Sequence, residues 1–209
     1  PYAWLAANFA YPAILREPAA DVLVRFAAGG PSLVVAWYGL TLSALALTAI
    51  APALAITPAR LSTAPGAAIG AAIAGALAGL AQAIGLARWV FAVPELAKTP
   101  EASAQAFTLL NQWGGVAIGE HLGQLLTALF LAQMARLQSA EGSRSAAALA
   151  ATAAFAIAVG TGEGVSLALG GTGEAFSAFT IAGYLALTLW LLGTGSRLLR
   201  RSAGERRAA

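Results

Sequence analysis

The chain of 209 residues contains no cysteine, a single histidine and a single methionine, and only 10% of its residues are charged. Without cysteine there is no disulfide framework, no thiol nucleophile and no thiolate metal site. The shortage of charge is more telling. Soluble domains carry about 25% charged residues, and a fold of this length with so few could not keep an ordinary surface wet. A soluble enzyme, a disordered tail and a nucleic-acid module are excluded on that ground. The start also lacks a feature: Pro1–Phe9 has no basic stretch ahead of an apolar core, so it is not an intact signal peptide. It reads as the outer end of a helix, and a further span upstream of Pro1 is an open expectation.

What is present is apolar length. Hydrophobic residues make up 59% of the chain and the mean hydropathy is +0.75. A helix needs about 20 mostly apolar residues to cross a bilayer. Five stretches qualify: 33–57, 66–87 continuing toward Pro94, 114–135, 146–169 and 175–196. Uninterrupted runs of this length do not alternate as barrel strands do, and helices satisfy their own backbone in lipid. The expected fold is an all-α, polytopic transmembrane helical bundle. Its organisation is an outer segment over 1–32, a membrane bundle over 33–196 and a basic tail over 197–209.

The net charge of +3 does not signal nucleic acid, because Arg197, Arg200, Arg201, Arg206 and Arg207 all fall in the tail. Basic residues that follow an apolar helix mark the cytoplasmic side. With the tail inside, the connections at 136–145 (Arg136, Arg144) and 58–65 (Arg60) also lie inside. The outer segments then hold Arg16, Arg25 and Lys98 against Glu17, Asp21, Glu95, Glu101 and Glu174. Trp37, Tyr38, Trp89 and Trp113 fall near the outer ends, where an interfacial aromatic belt is expected. In 18–28, Val22, Leu23 and Phe26 oppose Asp21 and Arg25, which reads either as a short helix on the membrane surface or as a structured loop. Gly29-Gly30-Pro31 closes it. The second outer segment, 95–111, is long enough to cap the bundle.

Small residues recur every four positions: Ala71, Gly75, Gly79 and Ala83 on the second span, Gly115, Gly119 and Gly123 on the third, Gly160 and Gly164 on the fourth. Such faces let backbones approach where lipid gives no hydrophobic drive. They predict either a tight bundle or an oligomer face, although a glycine-rich composition also generates such spacings.

Ionisable residues inside spans carry the functional signal, since each costs about 2.5–3.5 kcal/mol near a helix centre. Arg88, Glu120, His121 and Glu163 are of this kind. Counted from the span ends, Arg88, Glu120 and Glu163 each lie six residues in, or about 9 Å deep at 1.5 Å per residue. Antiparallel spans thus place them at one level. The expectation is a polar cluster of Arg88, Glu120, His121 and Glu163 in the outer half, joined by Gln124 on the Glu120 face and extended by Gln82. It serves either as a salt-bridge network that fixes helix register or as a binding or proton-handling site open to the outside. His121 could ligate a haem or chlorophyll-type pigment, or act as a pH-sensitive group in a proton path. Arg88 argues against a metal at these residues. Gly-Thr-Gly-Glu occurs at 160–163 and again at 171–174. No strand precedes it, so it is not a phosphate loop, and the glycines are expected to let the fourth span bend near Glu163.

Three segments, Tyr11-Pro12-Ala13-Ile14-Leu15-Arg16-Glu17-Pro18, Arg88-Trp89-Val90-Phe91 and Gly119-Glu120-His121-Leu122-Gly123-Gln124, resemble a bacterial domain-of-unknown-function (DUF) family of multi-pass membrane proteins. The resemblance covers most of the chain. It implies about six spans and carries no activity, and the expected location is a bacterial inner membrane. Three functions compete: an accessory subunit that docks other membrane proteins or a second copy through its glycine faces, a transporter or binder of an ion or small polar solute, and a pigment or haem subunit. The first is favoured here because the spans do not show the paired broken helices of transporters. No nucleophile stands out to suggest an enzyme.

Overall fold

The computed structural model describes residues 1–208, with side chains through Arg200; the side chains of Arg201, Arg206 and Arg207 in the tail lie outside the described residues. Helices follow one another as α1 (Tyr2–Phe9), a 3-10 turn (Ala13–Arg16), α2 (Ala19–Ala55), α3 (Pro58–Thr63), α4 (Pro65–Phe91), α5 (Val93–Leu96) and α6 (Pro100–Leu110). A π-helix (Asn111–Leu122), α7 (Gly123–Ala140), α8 (Arg144–Gly160), α9 (Gly162–Ala168) and α10 (Glu174–Ala208) complete the chain. No strand occurs among the described residues. Five helical stretches are long and apolar enough to cross a membrane: Ala19–Ala55, Pro65–Leu96, Pro100–Ala140, Arg144–Ala168 and Glu174–Arg200. The protein is therefore a membrane-spanning helical bundle.

Prolines set several boundaries. Proline fixes φ and lacks the N–H that a first helical turn leaves idle, so it starts helices and pushes the residue before it into extended backbone. Thr57 is extended (φ −132°, ψ 152°) before Pro58, and its hydroxyl accepts the backbone N–H of Arg60 at 3.2 Å as an N-cap. Pro65 and Pro100 stand first in α4 and α6, and the Thr99 side chain makes no cap. The segment before the third span is helical rather than a loop: α6 runs directly into the π-helix. Gly30 interrupts α2 at φ 58° and ψ −157°, a conformation open in practice only to glycine. The helix over 19–29 and the first span thus meet at a break.

The chain forms two compact units, one of Pro1–Ile50 with Leu77–Gly123, the other of Ala51–Ala76 with the chain from Gln124 onward. In the first, Leu5, Phe9, Val22, Leu23, Phe26, Trp37, Trp89 and Phe107 build a closed core. Trp37 and Trp89 stack with centroids 4.7 Å apart and planes 7° from parallel, and Phe9 meets both rings edge-on. Both tryptophans are fully buried, so the aromatic belt expected from the sequence is only half there: Tyr38 and Trp113 are exposed, whereas Trp37 and Trp89 are core. The folded-back N-terminal helices supply the covering apolar residues, which hydropathy of the spans alone does not reveal.

In the second unit α8 and α10 pack closely. A β-carbon on Gly160 would fall 2.9 Å from the Thr180 backbone nitrogen, and one on Gly183 would fall 2.9 Å from that of Ile157. Buried Trp190 on α10 donates its indole N–H to Gln138 Oε1 of α7 at 2.9 Å. Arg60, also buried, forms a bidentate pair with Glu141 (Nη2 to Oε2 2.9 Å) and donates from Nη1 to the Leu54 carbonyl. Arg197 reaches Ser145 Oγ at 3.0 Å. Within this unit the 58–65 connection therefore meets the 136–145 connection through Arg60 and Glu141, and Arg197 of α10 meets the start of α8.

Two expectations follow. Trp37→Ala should lower unfolding stability in detergent by about 3–5 kcal/mol, the cost of emptying a packed aromatic site. Tyr38→Ala, at 47% exposure, should cost under about 1 kcal/mol; equal effects on the unfolding midpoint would contradict the core placement. Glu141→Ala should cost about 1–2 kcal/mol, less than a fully buried pair because the Glu141 side chain is 41% exposed. Thermal unfolding at low and high salt measures it.

Candidate functional site

Arg88 lies in the last turn of α4, inside the second span. An arginine there needs partners, and close backbone packing supplies them. Gly85, one turn earlier, faces the π-helix so tightly that a β-carbon would sit 2.8 Å from the Gly114 carbonyl. The Arg88 guanidinium rests on the bare Cα of Gly115, where any side chain would collide with it. Nη1 donates to the Gly85 carbonyl, Nη2 donates to Asn111 Oδ1 at 2.9 Å, and Cζ stands 5.2 Å from the Trp89 ring centroid. Glu120 and Tyr11 lie within electrostatic reach. Nε is buried and has no hydrogen-bond partner, as do the indole nitrogens of Trp37 and Trp89.

The π-helix spans 12 residues. π-geometry is rare, is usually confined to one turn and concentrates at functional sites. Here it carries Glu120 and His121, both half-buried, and its glycines leave the room that Arg88 fills. Gln82 of α4 packs its side chain against Gly123, at 2.7 Å from a β-carbon built there. Of the residues expected to cluster, Arg88, Glu120 and His121 belong to the first unit, and Gln124 and Glu163 to the second. Gln124 is buried in the first turn of α7.

Glu163 stands in the first turn of α9, just past the interruption at Thr161. Its carboxylate accepts the Ser177 hydroxyl at 2.9 Å. Gly173, at φ +68°, closes over it, so that a β-carbon would lie 2.8 Å from Glu163 Cγ. The two Gly-Thr-Gly-Glu tetrads thus fold onto each other. The fourth span bends here as expected: the Gly164 N–H bonds back to the Thr161 carbonyl at 3.2 Å, three residues rather than four.

Asn111, Tyr11 and Trp89 around Arg88, and Ser177 near Glu163, are not among the site residues expected from the sequence. A lone amide at the mouth of a glycine-rich apolar run was the available signal for Asn111. Nothing local marks Ser177, which lies 14 residues from Glu163. Other glycines of these faces also pack inside the chain. Gly75 lies against Ala51 and Phe130, Gly79 against α2 at the Ala44 carbonyl (2.8 Å from a β-carbon), and Gly119 against Gly85.

Gly85→Ala should separate α4 from the π-helix and cost about 1–3 kcal/mol, the range for overpacking against backbone that cannot yield, and Gly115→Ala, which meets the end of the Arg88 side chain, should lower the midpoint by pushing the guanidinium off its partners. Gly66→Ala, where nothing stands within 4 Å, should leave the unfolding midpoint unchanged. Equal midpoints for all three variants would refute the close contact.

The chain matches no curated protein and no solved structure. The family model described as Domain of unknown function (DUF4386) matches residues 1–195. That match covers all five membrane-competent helices apart from the last turns of α10, and the chain belongs to the DUF4386 family.

Proposed function

We propose that this membrane protein binds, and in doing so moves or senses, a small polar solute or ion at Arg88, with Glu120 and His121 as its neighbours. The observation that carries the reading is the Arg88 Nε, buried with no partner while the other two guanidinium nitrogens are anchored. A guanidinium held at two nitrogens presents its third donor in a fixed direction. An oxygen acceptor on a solute is the chemistry that it would take. The nearby Glu120 carboxylate offsets the arginine charge, so the site suits a polar or zwitterionic solute better than a bare anion.

Helix geometry supports the same reading. The spans that carry Glu120, His121 and Glu163 are irregular at those residues, one by π-geometry and one by the Thr161 interruption. Irregular backbone at membrane depth is tolerated where it lines a site or a cavity. The accessory-subunit alternative needs glycine faces free for a partner, and Gly75, Gly79, Gly115, Gly119, Gly123 and Gly160 are each occupied by the chain's own helices. We place the protein in a bacterial inner membrane, with the arginine tail in the cytoplasm and the Arg88 level nearer the outer face.

The test uses the full chain in lipid nanodiscs. Glycine, acetate, bicarbonate and urea sample zwitterionic, anionic and neutral acceptors. At least one should raise the unfolding midpoint saturably, and Arg88→Lys, which keeps the charge but loses the fork, should weaken its affinity about tenfold or more, or about 1.4 kcal/mol. No shift from any probe, or an undiminished shift in a folded Arg88→Lys variant, would overturn the reading.

A further inference from the structure

In the second unit a cavity of about 120 Å³ lies between α8 and α10. Its polar wall is Ser145, Thr194 and Arg197, and its apolar wall runs through Leu149, Leu189 and Trp190. Arg197 Nη2 donates to Ser145 Oγ at 3.0 Å, and no carboxylate among the described residues pairs with this arginine. Thr194 Oγ1 is buried and has no hydrogen-bond partner. No acidic side chain lines the cavity. The first turn of α8 adds partial positive charge, and the Ser143 side chain does not cap it. Arg144 opens that turn, and Arg200 stands three residues beyond Arg197, on the same face of α10.

The two walls differ in depth. Arg197 lies three residues before the end of the membrane-competent stretch Glu174–Arg200, and Ser145 is second in Arg144–Ala168. The polar wall therefore stands at the end of two spans, where lipid headgroups lie. Leu149 and Leu189 are four and eight residues farther into those spans, about 6 Å and 12 Å at 1.5 Å per residue. Leu189 is 60% exposed, and a β-carbon on Gly193 would meet nothing within 4 Å. The apolar wall is thus open to lipid.

We infer that this cavity holds the phosphate of an anionic phospholipid such as phosphatidylglycerol, whose acyl chains run along Leu149, Leu189 and Gly193. A guanidinium fork matches phosphate oxygens, and the Thr194 hydroxyl gains the acceptor that the protein does not give it. Size favours a headgroup. Pockets for whole solutes run to about 300–1,000 Å³ and one water takes about 30 Å³, so this cavity suits the head of a molecule whose tail stays outside. Charge selects the lipid. A phosphodiester with an uncharged alcohol keeps its full negative charge for Arg197, whereas choline or ethanolamine would bring a cation beside it. Basic pockets between spans at a membrane face are an established way to hold anionic headgroups. The apolar wall gives free phosphate nothing to gain. This site uses no residue of the Arg88 cluster and is tested apart from it.

The test uses the full chain, delipidated in a non-ionic detergent and titrated at constant ionic strength with short-chain phosphatidylglycerol, short-chain phosphatidylcholine or inorganic phosphate. Phosphatidylglycerol should raise the thermal unfolding midpoint saturably and bind several-fold more tightly than phosphatidylcholine, while inorganic phosphate should leave the midpoint unchanged. Arg197→Gln and Thr194→Val should each weaken the apparent affinity for phosphatidylglycerol several-fold. Gly193→Leu, which fills the groove without touching the polar wall, should weaken it as well. Arg136→Gln removes the same charge outside the cavity lining and should leave the affinity unchanged. Equal shifts from both lipids would overturn the proposal, as would an equal shift from inorganic phosphate. So would equal losses in Arg197→Gln and Arg136→Gln, which would reduce the effect to general charge attraction.

Discussion

The contact between Gly85 of α4 and Gly119 of the π-helix governs the first unit. In lipid, burying apolar surface gives no net drive, so helices associate by packing and by polar bonds that need short distances. Without a β-carbon at either position the two backbones touch. That approach lays Arg88 across Gly115 and brings Asn111 within 2.9 Å of Nη2. With Arg88 fixed, its neighbour Trp89 is turned into the core, where it stacks on Trp37. α1 and the N-terminal part of α2 then bury Phe9 and Phe26 against the same rings. A side chain at position 85 would act on all of these contacts at once, which is why a small residue there matters beyond its own volume.

Much of this order is legible in the residues. Span positions follow from length and hydropathy, because a bilayer imposes both and leaves little room for tertiary override. The break at Gly30 and the bend near Glu163 follow from glycine and proline chemistry. The meetings of Arg60 with Glu141 and of Arg197 with Ser145 follow from the alternation of spans. The π-helix is not legible, since it differs from an α-helix by one residue of hydrogen-bond register and has no composition of its own. Neither is the burial of Trp37 and Trp89. A tryptophan near a span end suits the lipid interface and a protein core equally well, and only the returning N-terminal helices decide between them. For the same reason charged residues could be picked from the sequence, while Asn111 and Ser177, ordinary polar residues brought in by the fold, could not.

Charge is handled locally in each unit. Arg88 has Glu120 within electrostatic reach and two anchored nitrogens. Glu163 has a hydroxyl donor and sits in the first turn of α9, where the helix dipole favours an acidic side chain.

Comparison of like residues separates structural burial from a poised site. Arg60 and Arg88 are both buried, at 9% and 8% exposure. Every side-chain nitrogen of Arg60 has a partner, two on Glu141 and one on the Leu54 carbonyl; Arg88 keeps one donor unused. Tryptophans divide the same way: Trp190 is bonded to Gln138, whereas the indole nitrogens of Trp37 and Trp89 are not bonded. An unmet buried donor costs about 1–3 kcal/mol, and three of them fall in one stacked cluster of the first unit. The second unit shows that this sequence can saturate buried arginine and tryptophan where only packing is at stake. Donors left open around Arg88 are the feature that a purely structural cluster has no reason to keep, and an acceptor-bearing solute is what would relieve their cost.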